Sequence, residues 1–219
     1  MANRLIQLTL GLLLMSAAGC AAVGALAYVA SPPPKDPAEY KLDKTPTVVF
    51  AENYDNPAQF EVYAERLERQ ITAQLTDNKA GKLVEAAKLD ELKTGRAQEF
   101  RKLDIPGVGR ALGAGRVIYI NLTQFSVNLP IGGQNLAGIA EANVKIVEVA
   151  TGKTLWPLDS STGRQVKVET TYQPDSDGNT PTGIEDQLSQ KLGDQIARLF
   201  YDSPTDRIDG GDREFEQKL

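Results

Sequence analysis

The single thiol of this chain, Cys20, stands at the end of an uncharged apolar run, directly after the small residues Ala17-Ala18-Gly19. Small side chains leave the bond before it open to a processing protease, and the thiol open to covalent modification. No histidine occurs among the 219 residues. An internal disulfide, Cys/His zinc sites, Cys/His nucleophile pairs and histidine triads therefore all lack their parts.

Three other groupings carry residue types capable of chemistry. Asp175, Asp177 and Asn179 alternate as calcium ligands do, and Asp186 stands where a bidentate carboxylate would close the loop. Thr180 replaces the glycine that such a loop needs, so a polar connection between strand and helix is the better reading. Glu52 and Asp55 offer two carboxylates at a strand end, with no second site converging on them, and polar strand ends are common. Gly107-Val108-Gly109-Arg110-Ala111-Leu112-Gly113 has the glycine content of a dinucleotide loop. Its third glycine comes one residue late and it precedes a strand, so it reads as a turn and a closely packed helix. No metal, no cofactor and no catalytic residue is expected from these.

The amino-terminal segment has signal-peptide architecture: one positive side chain in Met1–Arg4, then apolar Leu5–Ala18. Ala17-Ala18-Gly19-Cys20 resembles a bacterial lipobox, although that motif prefers Leu at the position of Ala17. The resemblance implies removal of residues 1–19, a diacylglycerol on the Cys20 sulfur and an acylated new amino terminus, palmitate being the usual kind of chain. The competing reading is an uncleaved anchor, because no charge interrupts Leu5–Ala30, a run long enough to span a bilayer. Either way Arg4 stays inside and the bulk of the chain crosses the cytoplasmic membrane. In the bacterial lipoproteins that this segment resembles, an Asp after the cysteine favours inner-membrane retention, so Ala21 there implies the outer membrane, facing the periplasm. The membrane is thus one expected partner, through the covalent lipid.

The formal net charge is −5 and becomes −6 without Arg4. A mildly acidic chain with no basic stripe is not expected to bind nucleic acid.

Residues 20–46 read as a tether ending in a Pro-rich linker, with the stiff Ser31-Pro32-Pro33-Pro34-Lys35-Asp36-Pro37 inside it. Residues 47–202 read as one domain, and 203–219 as a charged tail without fixed structure. Within the domain, Thr47–Phe50 predicts a strand. Asn56 predicts a helix cap, with Pro57 at the first helical position. Phe60, Ala64, Leu67, Ile71 and Leu75 follow at helical spacing, with Glu61, Glu65, Glu68 and Arg69 mostly on other faces. Lys82–Glu85 predicts a second strand, and Ala87–Lys93, Ala97–Leu103 and Val108–Leu112 predict short helical pieces. Strands follow at Arg116–Phe125, Gly138–Val149, Lys153–Trp156 and Arg164–Thr171, with Thr151-Gly152 as a hairpin turn. Thr182-Gly183-Ile184-Glu185 predicts a capping box, opening a helix whose core face is Ile184, Leu188, Leu192, Ile196, Leu199 and Phe200. The fold class is α/β (α+β): a mixed, mostly antiparallel sheet with two long helices packed on one face.

This order of elements, with Val108–Ala114 before a strand and the hairpin Ala142–Trp156 ending in Thr151-Gly152-Lys153 and Leu155-Trp156, resembles the CsgG/LpoB/TolB-amino-terminal-like superfamily of bacterial envelope lipoproteins. One departure is that Ala51-Glu52-Asn53-Tyr54 follows Phe50 where the family has a strand ending in Pro-Phe. The resemblance implies a non-enzymatic protein-binding or assembly factor, with another envelope protein or a second copy as partner. A curli-type secretion channel is the first alternative. Its membrane hairpins need strands of roughly nine to eleven residues each, and Ser126–Ala137 is too short for that. A ligand-binding or enzymatic domain is the second. Candidate partner contacts are Leu129, Pro130 and Ile131 in this connection, together with Trp156.

Overall fold

The computed structural model describes residues 35–128, 137–170 and 180–205. Two units divide the chain: Met1–Asp36 with Pro204–Leu219, and Pro37–Ser203. In the smaller unit the Thr205 hydroxyl donates to the Asp36 carboxylate at 3.0 Å.

The larger unit is built on a five-stranded sheet. Its strands are β1 (Thr47–Glu52), β2 (Arg116–Asn128), β3 (Ala137–Glu148), β4 (Thr154–Trp156) and β5 (Arg164–Thr170). β1 pairs with β2 in parallel, Val49 opposite Ile118 and Ala51 opposite Ile120. All other pairs are antiparallel: β2 with β3, and β3 with both β4 and β5 on its far edge. A register shift between Leu122 and Gln124 changes the alternation. Ile118, Ile120 and Leu122 share a face, and Phe125 joins the same core three residues later.

β1 is apolar on both sides, as a strand covered on both faces must be. Val49 and Ala51 face one core, and Val48 and Phe50 face another. The long helices α1 (Glu61–Asp77) and α5 (Pro181–Arg198) close the first. Leu67, Ile71 and Leu75 from α1 meet Ile184, Leu188, Leu192 and Ile196 from α5 there. The second face holds a smaller core under α2 (Ala86–Gly95), α3 (Ala97–Phe100) and α4 (Ile105–Ala111), with Leu89, Phe100, Leu103 and Val108 on Val117, Tyr119 and Val147. At Gly109 a side chain would run into Val149, so this glycine brings α4 close to the sheet. The glycine-rich segment is therefore packing, as its position before a strand indicates.

Several boundaries differ from the sequence expectations. Asn56 does not cap α1: its amide binds the Asn53 side chain at 2.7 Å, residues 57–60 form a turn, and the helix starts at Glu61. Lys82–Glu85 is no full strand. Leu83 makes one parallel bridge to Thr47, and the chain then turns into α2. α5 is capped by Thr180, not Thr182; the Thr180 hydroxyl accepts the Gly183 amide at 3.0 Å, with Pro181 in the first turn. The chain from Pro37 onward, read as tether, is bound to the unit. Tyr40 and Leu42 pack on the main core, and the Tyr40 amide donates to the Leu199 carbonyl.

Candidate functional site

β1 ends at Glu52, where the chain leaves the sheet and climbs into α1. On the other side of this strand end stand α2 and α3. Between them lies a cleft of about 550 Å³. Phe50, Ala51 and Glu52 form its floor, and Asn56, Pro57, Ala58, Glu61 and Ala64 one wall. Lys93, Ala97, Phe100, Arg101 and Leu103 form the other wall. The lining is mostly aromatic, alanine and proline, with a few charged groups converging, as ligand and partner sites commonly have.

Beneath the cleft is an ion pair that the helix pattern placed on a solvent face. Glu68 is only 1% exposed and Lys93 13%. The Lys93 ammonium donates to both carboxylate oxygens of Glu68, at 2.9 and 2.8 Å. The Ala51 amide donates to the same carboxylate at 2.9 Å. One side chain of α1 thus ties an outward-facing amide of the edge strand β1 to α2. The ammonium also lies 5.8 Å from the Phe50 ring centre and 6.0 Å from that of Phe100, so two aromatic faces flank it. Burial raises the Glu68 carboxyl to about 7, against the pull of Lys93 and the Ala51 amide, and the nearby Asp90 charge raises it further. Spacing does carry a signal for Glu68. It sits four residues after Ala64 and three before Ile71, on the apolar stripe.

Glu52 accepts the Tyr119 hydroxyl at 3.0 Å. Burial raises the Glu52 carboxyl, and burial together with the carboxylates of Glu52 and Asp55 raises the Tyr119 phenol. The phenol therefore stays protonated at neutral pH. Among the described residues no group of three or more carboxylate, cysteine or histidine side chains is placed to hold a metal ion.

The remaining sequence candidates fall as follows. Trp156 is half-buried and packs on Phe200, ring centres 5.8 Å apart, and on Tyr40 at 6.4 Å. It closes the end of the core near the carboxyl end of α5. Asp186 pairs with Arg66 of α1. Cys20, Leu129, Pro130, Ile131, Asp175, Asp177 and Asn179 lie outside the described residues. No helix among the described residues is long and apolar enough to cross a membrane.

No protein-family model matches this sequence, and neither does any curated protein. Solved structures with a similar arrangement exist. Lipoprotein GNA1162 from Neisseria meningitidis is 15% identical, with 72% of this chain and 98% of that one covered, at a TM-score of 0.41. A minor lipoprotein from Acinetobacter baumannii is 17% identical, with 75% and 92% covered, at 0.39. The PelC dodecamer from Paraburkholderia phytofirmans is 13% identical, with 78% and 95% covered, at 0.37. Likenesses of this degree do not assign the chain to a family.

Proposed function

We propose that this chain is a lipid-anchored bacterial envelope protein of the CsgG/LpoB-like kind, whose α/β domain is a non-enzymatic module binding another envelope protein through the cleft at the end of β1. The observation that carries the reading is the amino-terminal segment: one basic residue, an apolar run and small residues ending in Cys20, followed by a Pro-rich spacer. A thioether lipid with an acylated amino terminus anchors stably, where one chain alone holds marginally. The outer membrane, periplasmic side, is the proposed site.

Two features favour binding over catalysis. The Lys93 ammonium is held by Glu68 and is not a free nucleophile. The Tyr119 phenol is hydrogen-bonded and raised, which removes it as a base near neutral pH. The channel alternative is less favoured by the geometry. Alternate residues of β2 and β3, from Ile118 to Phe125 and from Ala140 to Ile146, are committed to the domain core. The small-ligand alternative has one observation in its favour, a cleft volume within the usual range for such sites of about 300–1,000 Å³.

Photocrosslinking in intact cells tests the reading. A crosslinker at Ala58 or Ala97, on opposite walls of the cleft, is expected to give one discrete protein adduct that Phe100→Ala weakens. Crosslinkers at Ile131 and Leu158 ask whether the connection 129–136 or a surface outside the cleft lining makes the contact instead. Adducts from those positions alone would move the site off the cleft. No protein adduct from any position would favour the small-ligand alternative.

A further inference from the structure

Glu68 has more to do than an ordinary buried carboxylate. It neutralises Lys93, occupies an edge amide of β1 and sits directly under a cleft of ligand size. Lys93 is the side chain the pair shares with the cleft lining, whereas Glu68 lies behind it. The long alkyl stem of a lysine lets its head move while the stem stays packed.

We propose that Glu68 is a proton-operated switch for the cleft: as a carboxylate it holds Lys93 in a neutral pair, and on taking up a proton it releases the Lys93 ammonium into the cleft. The charge of the Glu68–Lys93 pair then changes from zero to one positive, beside Glu52 on the floor, which favours an acidic group on the occupant more than the closed pair does. This deepens the reading of the cleft as the binding site and rests on it.

The groups facing Glu68 make the switch one-directional. From α2 come Lys93, which favours the carboxylate, and Asp90, which opposes it. From β1 comes the Ala51 amide, which can donate to either protonation state, since a protonated carboxyl keeps a carbonyl oxygen. Glu52, at the end of the same strand, also feels the Lys93 charge. From α1, Arg69 pairs with Asp90 and with Glu65 and so leaves Glu68 to Lys93. Phe50 and Phe100 flank the ammonium and contribute no titration. Protonation therefore removes the charge of the carboxylate that accepts both Lys93 hydrogen bonds, while Glu68 stays buried between α1 and β1. Burial lifts the carboxyl to about 7, which puts the change near neutral pH.

Nuclear magnetic resonance on the full chain in detergent micelles reads the switch without any partner, so it stands or falls apart from the binding reading. The Glu68 side-chain carbon is expected to titrate near pH 7. Relative to an exposed lysine at the same pH, the Lys93 ammonium is expected to lose at least about tenfold of its protection from exchange with water between pH 8 and pH 6, on loss of a charge-assisted hydrogen bond. An exposed ammonium itself exchanges more slowly as pH falls, because hydroxide catalyses the exchange, so the comparison at equal pH separates release from ordinary behaviour. In Glu68→Gln, exchange close to that of an exposed lysine is expected at both pH values. If that variant does not fold, the wild-type titration decides. A Glu68 midpoint below pH 5, or a Lys93 ammonium equally protected at pH 6 and pH 8, would overturn the proposal.

Discussion

Replacing Glu68 by Gln keeps the size and an acceptor for the Ala51 amide while removing the titration. The carboxyl stands at about 7 in the folded chain against an ordinary 4.5. Between those values the folded chain holds a proton that the unfolded chain has lost. Stability contributed by this proton is complete below about pH 4.5 and is lost as pH rises through 7. At about 1.4 kcal/mol per pKa unit, the loss between pH 5 and pH 8 is roughly 2 to 3 kcal/mol. Other carboxylates titrate in wild type and variant alike and cancel in the comparison. The assay is urea unfolding of both proteins at pH 5, 6, 7 and 8. The stability of wild type minus that of Glu68→Gln is expected to fall by that amount across the series, most steeply between pH 5 and 7. A difference that stays flat, or rises with pH, would refute the reasoning, because it would mean that burial does not dominate at Glu68.

Three further outcomes follow from packing and backbone geometry. Gly163 has φ +117, and a side chain there would meet the Val144 carbonyl oxygen at 2.7 Å, so Gly163→Ala is expected to lower unfolding stability by at least about 2 kcal/mol. Leu67 is fully buried between α1 and the sheet, and Leu67→Ala is expected to cost roughly 3 to 5 kcal/mol in the same measurement. Thr180→Ala removes the α5 cap for about 1 kcal/mol, whereas Thr182→Ala, at the other candidate cap, is expected to change stability by a few tenths at most.

The apolar spacing of Phe60, Ala64, Leu67, Ile71 and Leu75, and of Ile184, Leu188, Leu192 and Ile196, made both long helices legible, because a core face repeats every three to four residues. Alternation did the same for β3 and β5. The ends were less legible because caps are local competitions. Asn53 takes the Asn56 amide through contacts that no pattern of spacing shows, and Thr180, two residues before Thr182, precedes the proline that starts the helix. Lys82-Leu83-Val84-Glu85 reads as a strand, but among these residues only Leu83 makes a bridge, to Thr47, before α2 begins. The cleft was hardest to read. Its residues come from four separate stretches, and its charged floor joins Glu68 to Lys93 across two helices. The charge of Glu68 suggests a wet face, although its spacing from Ala64 and Ile71 puts it on the apolar stripe. Apolar residues on both sides of β1, Val48 and Phe50 against Val49 and Ala51, were the available sign that a second helical layer covers the sheet.

The anchor itself is tested most directly by metabolic labelling with a radiolabelled fatty acid. Wild type is expected to take up label, and Cys20→Ser to take up none while keeping its full-length signal peptide. Absence of label on wild type, or label that survives Cys20→Ser, would contradict the lipid-anchored account.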